Sequence, residues 1–339
     1  MIAYITRLRW KMKYRVLGRT GLGVSELGFG GHEYRRPLPT TLGRWGDIDL
    51  REFMKKQPIR NKLIMKAMEL GINYFDATQP EEAKSLGIAL KEAGAREDVY
   101  VALMILTPLN KIAGKPRGDW KRIITEDVEE KLELLQSSHT DILNVHMPEI
   151  GYSRERFTET IEVLRGLKEE GRIGWIATSS HKPRFLAELI RTYDCFDSVM
   201  VRYNYHLQEA REIVFPLCKA LKIGVVVMKP IAWPYYGIPF TCFGPMEKEV
   251  GPYTPVQISI RWILNSEEVS SVVPGMNDHK ELEENVEAIE RDEKIDEKIL
   301  KQYLEAAQGP TAKEKLEKML NDPSMDIRHF AQRALKEFP

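Results

Sequence analysis

The sequence predicts an α/β protein built as a (β/α)8 TIM barrel, with an N-terminal β-hairpin ahead of it and extra C-terminal α-helices behind. Two observations carry this. From residue 63 onward, short β-rich runs alternate with longer segments of helical period, the pattern of repeated βα units around a parallel sheet. Eight strand-like runs, each followed by a helical segment, are counted before residue 291. By length alone the 339 residues suggest about two domains. Barrels of about 250 residues form only one.

The hairpin comes first. Residues 14–17 and 24–27 flank Gly18-Arg19-Thr20-Gly21-Leu22-Gly23, a glycine-rich turn, and such a hairpin would plug the lower end of the barrel. A weak first strand falls at residues 28–31. The others fall at 72–76, 99–104, 142–146, 173–179, 198–203, 223–228 and 270–273. Helices are expected at 60–70, 82–93, 125–135, 156–170, 183–192, 208–221, 255–264 and 280–290. Two long loops, residues 32–59 and 230–254, leave the C-terminal ends of strands, the side on which barrel enzymes carry their chemistry. Beyond residue 290 the chain becomes strongly charged helix, ending in a segment patterned like one HEAT-type repeat. A single repeat cannot bury its own apolar face, so these helices should dock on the barrel, on a second copy in a homo-oligomer, or on a partner protein. The chain thus divides into an N-terminal extension (1–12), a barrel (13–291) and a helical extension (292–339), with Met12 an alternative start to Met1.

Composition excludes several partners. Fifty basic and fifty acidic residues leave no net charge, against the basic face that a nucleic-acid binder needs. No apolar run approaches the roughly 20 residues that span a membrane, and the first residues lack the apolar core of a secretion signal. Cys195, Cys218 and Cys242 are widely spaced with no C-x-x-C pair, which fits inert thiols in a reducing cytoplasm and no structural metal.

The residues that close the strands are mostly polar, and in a parallel barrel they face the active-site mouth. They are Asp76, Met104, His146, Ser179-Ser180-His181, Tyr203-Asn204, Lys229-Pro230 and Pro274-Gly275-Met276. An Asp and a His closing apolar strands would be costly to bury without partners, so a cleft explains them better.

These segments resemble the aldo-keto reductase family. Val16-Leu17-Gly18-Arg19-Thr20-Gly21-Leu22 and Gly28-Phe29-Gly30-Gly31 are similar to its entry hairpin and first strand. Gly71-Ile72-Asn73-Tyr74-Phe75-Asp76, Asp141-Ile142-Leu143-Asn144-Val145-His146, Gly171-Arg172-Ile173-Gly174, Arg202-Tyr203-Asn204, Val227-Met228-Lys229-Pro230 and Val273-Pro274-Gly275-Met276 follow in order. The resemblance implies hydride transfer between a nicotinamide cofactor, NADP(H) or NAD(H), and a small-molecule carbonyl substrate. No cysteine follows Cys242, so the iron-sulfur tail of some relatives is not expected.

The family uses an Asp, a Tyr that donates the proton, a Lys that lowers the Tyr pKa and a His that orients the carbonyl. Asp76 and His146 match the Asp and the His. Met104 stands at the Lys position, and the short loop after Asp76 carries no Tyr. Three readings follow: a replacement donor, with Tyr34 first and His32, Glu81 and His146 behind it; a barrel that binds a nucleotide or small ligand without turnover; or a different chemistry for Asp76. By resemblance Ser179, Ser180 and Asn204 lie at the nicotinamide carboxamide, Lys229 near the pyrophosphate and Gly275 against phosphate. Glu284 and Asn285 lie at the adenine. Asn277 with Glu281 replaces the residues that grip the adenosine 2′-phosphate, which puts a carboxylate where that phosphate would sit.

Overall fold

A computed structural model of the chain describes residues 12–31, 54–147, 149–204, 207–230 and 253–291, together with residues 295, 317, 320, 321 and 332. Tyr34, the loop aromatics Trp233, Tyr235 and Tyr236, and nearly all of the helical extension lie outside these residues.

The hairpin is β1 (Tyr14–Val16) paired antiparallel with β2 (Gly23–Ser25), the two joined through a 3₁₀ turn, Gly18–Thr20. Seven parallel strands follow in sequence order: β3 (Tyr74–Ala77), β4 (Tyr100–Ile105), β5 (Thr140–His146), β6 (Ile173–Ser180), β7 (Ser198–Arg202), β8 (Gly224–Met228) and β9 (Val269–Val273). The eighth staff is the weak first strand of the sequence. Leu27 bridges Val272, Phe29 bridges Phe75 and Gly30 bridges Gly275, so this segment pairs β9 on one side and β3 on the other and closes the barrel.

The helices pack outside: α1 (Gln57–Glu69), α2 (Pro80–Ala93), α3 (Thr107–Asn110), α4 (Arg117–Leu135), α5 (Arg154–Glu169), α6 (Pro183–Thr192), α7 (Glu209–Leu221), α8 (Pro255–Leu264) and α9 (His279–Glu290). Apolar residues alternate along the strands with period two. One set, including Val101, Leu143, Val199 and Val227, packs beneath the helices. The other fills the barrel with Tyr74, Ala102, Met104, Ile142, Ala177, Met200, Val226, Met228 and Val273. Leu17 and Val24 join this inner cluster, so the hairpin plugs the lower end as expected.

Two features depart from the sequence reading. The four-residue α3 was not foreseen. Helix α4 begins at Arg117, eight residues before the expected 125. Its Asp127 already meets Thr107, just after β4, and its Lys131 meets Thr78, just after β3.

Candidate active site

The inward phase of each strand puts polar groups at its upper end. On β3 the inward residues are Tyr74 and Asp76. Asp76 is buried and accepts a long hydrogen bond, 3.4 Å, from Thr78 Oγ1. It does not cap α2, whose N-cap is Gln79 in a reciprocal box with Glu82. Burial first, and then the Asp76 charge, push the Tyr74 phenol well above its ordinary value of 10, so it stays neutral.

Met104 follows on β4, buried and paired across the sheet with Asn144 on β5. A thioether here makes no ion pair with Asp76. Two residues beyond Asn144 stands His146, half-buried, its Nδ1 2.8 Å from Ser179 Oγ on β6. The His181 ring lies beside it, centroids 5.2 Å apart. His146 is therefore a seated imidazole at the rim rather than a core histidine.

The other positions expected to hold a cofactor divide into two groups. Ser179 is fully buried with its hydroxyl on His146, and the Ser180 hydroxyl accepts from the Lys182 amide at the start of α6. Asn204 donates to the Lys229 carbonyl at 3.1 Å and accepts from the Leu207 amide at 3.1 Å, tying the end of β7 to the end of β8. Lys229 adopts a left-handed backbone, φ 57°, and its ammonium is pushed below its ordinary pKa by burial and then by Arg202. At the far end, Gly275 bridges Gly30. Glu281 accepts from both the Asn277 backbone amide, at 2.7 Å, and its side-chain Nδ2, at 2.9 Å. Glu284 is half-buried on α9. Asn285 beside it is buried, and its Oδ1 has no hydrogen-bond partner among the described residues.

Two residues escaped the sequence reading. Arg202 continues the inward phase of Ser198 and Met200 and places a buried guanidinium beside Lys229. Asn144 lies in the same phase as His146, and its buried Oδ1 lacks a partner among the described residues. Counting by twos from the strand-end residues would have found both. No group of three or more His, Cys, Asp or Glu side chains able to hold a metal occurs among the described residues.

Comparison with known proteins identifies the family of the chain. Residues 45–235 match the sequence model of the Aldo/keto reductase family. L-galactose dehydrogenase of Arabidopsis thaliana is 28% identical over 308 residues, covering 82% of this chain and 88% of the plant protein. Probable aldo-keto reductase 1 of Glycine max is 24% identical over 331 residues, covering 86% and 87%. Among solved structures, the holo form of aldo-keto reductase AKR11C1 from Bacillus halodurans superposes with a TM-score of 0.64 at 24% identity, covering 88% of this chain and 97% of that one. Its likeness supports the barrel fold. With the barrel fold shared and more than half of its length matched by the family model, the chain belongs to the aldo/keto reductase family of oxidoreductases.

Proposed function

We propose that this chain reduces a small carbonyl compound with a nicotinamide cofactor, and that His146 supplies the proton to the carbonyl oxygen. The observation that carries this reading is the His146–Ser179 contact. It seats the imidazole at the end of β5, with Nδ1 2.8 Å from the Ser179 hydroxyl. An ordinary imidazole titrates near 6.5, far better matched to neutral pH than a phenol near 10 without an adjacent cation. Asp76, at the end of β3, adds a negative charge to the same rim.

The residues present fit a dinucleotide. The buried, unsatisfied Asn285 Oδ1 is an acceptor for an exocyclic amine, and Lys229 with Arg202 supplies positive charge for a pyrophosphate. When bound, the cofactor supplies the hydride. Glu281 occupies the Asn277 amide with a carboxylate, which disfavours a 2′-phosphate and favours NAD(H) over NADP(H). The burial that pushes the Cys195 and Cys218 thiols up to about 12 keeps them protonated and suits a reducing cytoplasm.

The test is a panel of aldehydes, ketones and quinones, with cofactor oxidation followed by absorbance. Wild type should turn over at least one of them. His146→Gln should lower kcat by roughly 10²–10³-fold with nucleotide Kd unchanged. Nucleotide binding with no turnover on any carbonyl sinks the catalytic reading. If Tyr34→Phe abolishes turnover and His146→Gln does not, the donor is Tyr34, the candidate that the sequence favoured.

A further inference from the structure

A buried cluster of charges lies behind the loop that follows Asp76 and β3, and the cofactor and substrate residues above do not use it. Helix α4 sends Lys131 inward, where it is 6% exposed. Its Nζ donates to the Thr78 carbonyl at 2.9 Å. From the opposite side Glu82, fully buried on α2, accepts from the Thr78 amide at 2.8 Å and the Gln79 amide at 2.9 Å. Asp127, one turn before Lys131, accepts from Thr107 Oγ1 and pairs with Lys111 at 2.5 Å. Burial pushes the Lys131 ammonium below its ordinary pKa, and the Asp127 and Glu82 carboxylates oppose that shift.

The geometry points to Lys131 as a positioning residue: with Glu82 it clamps both backbone faces of Thr78 and thereby fixes where Asp76 stands at the mouth. This rests on the catalytic reading above. A surface loop needs no buried lysine. Removing an ammonium and a carboxylate from water is costly before their attraction offsets it, and apolar residues of similar volume often serve stability as well. What the charges add is direction. The ammonium takes one carbonyl and the carboxylate takes two amides, in the short loop that runs where relatives carry their tyrosine. Asp76 is two residues from Thr78 and accepts its hydroxyl, so a shift of the clamp moves the carboxylate. A misplacement of about 1 Å in a reacting constellation can cost on the order of 100-fold in rate.

The experiment compares wild type with Lys131→Met, by steady-state kinetics, nucleotide titration and residue-resolved amide exchange. In wild type the Thr78 and Gln79 amides should be protected like the neighbouring strands. In Lys131→Met they should exchange at least tenfold faster. There kcat should fall by about tenfold or more, while carbonyl KM and nucleotide Kd stay within about twofold. A variant that keeps its kcat overturns the inference and leaves the catalytic reading standing. If wild type reduces no carbonyl, both fall. Should Lys131→Met fail to fold, Lys131→Met/Glu82→Gln removes both buried charges and carries the same readouts. Fast exchange of the Thr78 and Gln79 amides in wild type overturns the clamp without any variant.

Discussion

At the scale of single residues, the site is defined by what each carboxylate touches. Glu281 accepts from the backbone and side chain of Asn277, and Asp278 caps the Glu281 amide, so the start of α9 is already supplied with negative charge. A helix N-terminus ordinarily attracts anions. Here a phosphate would have to displace or face a carboxylate. Glu281→Gln keeps an acceptor for both Asn277 donors and removes the charge, so NADPH should bind about tenfold tighter, ~1.4 kcal/mol, with NADH little changed. Titration of both nucleotides by tryptophan fluorescence reads this directly, and equal wild-type affinities would show that Glu281 does not discriminate. Asp76 and His146 could be read from the sequence because a charged or polar residue ending an apolar run stands out. Arg202 could not be singled out so easily. It sits beside Tyr203 and Asn204, and its inward direction shows only once the phase of β7 is fixed by Met200 in the barrel interior.

Elements were legible where a periodic apolar pattern meets a clear stop. Helices α6 and α8 occupy the residues expected, each opening on proline, and most strands shift by no more than two residues. The start of α4 was missed because Gly118 and the β-branched pair Ile123-Ile124 lower helix propensity there. Trp120 and Ile124, four apart and both buried, are the signal that tertiary packing used instead. The same helix sets a spacing that propensity alone would judge wrongly. Gly87, inside α2, would by intrinsic preference gain about 1 kcal/mol on becoming alanine. Its added Cβ, however, would lie 2.3 Å from the Leu135 carbonyl oxygen at the end of α4, a backbone atom that cannot swing aside. Overpacking of this kind costs about 1–3 kcal/mol. Gly87→Ala should therefore destabilise the protein by about 2 kcal/mol, lowering Tm by roughly 3 °C in thermal unfolding. A higher Tm would mean that α2 and α4 do not pack this closely.

At the scale of the whole molecule, the barrel depends on a strand that hardly reads as one. Residues 28–31 include three glycines and offer few side chains to a β pattern. A Cβ at Gly28 would meet the Tyr74 and Val273 side chains, and one at Gly31 the Asp76 carbonyl, so the closing strand can be weak in sequence because the barrel leaves no room for more. Its position is then set from outside by the hairpin. Arg15 on β1 pairs with Glu26 at 2.6 Å and donates to the carbonyls of Leu264, Ser266 and Val269, fastening the hairpin to the turn between α8 and β9. Its side chain is partly exposed, so solvent screens some of the charge, but the fixed fork of donors meets three backbone acceptors at once. Arg15→Ala removes all of these bonds and leaves the buried Glu26 without its cation. The expected loss is about 2–3 kcal/mol, or roughly 3–4 °C in Tm. Because the hairpin runs directly into the closing strand, the amides of Gly28, Phe29 and Gly30, which bond to Val272, Tyr74 and Pro274, should lose exchange protection before the strands on the far side of the barrel do. Uniform loss across all the strands would instead mean that the barrel opens as a single unit and that Arg15 stabilises it without acting specifically at the seam.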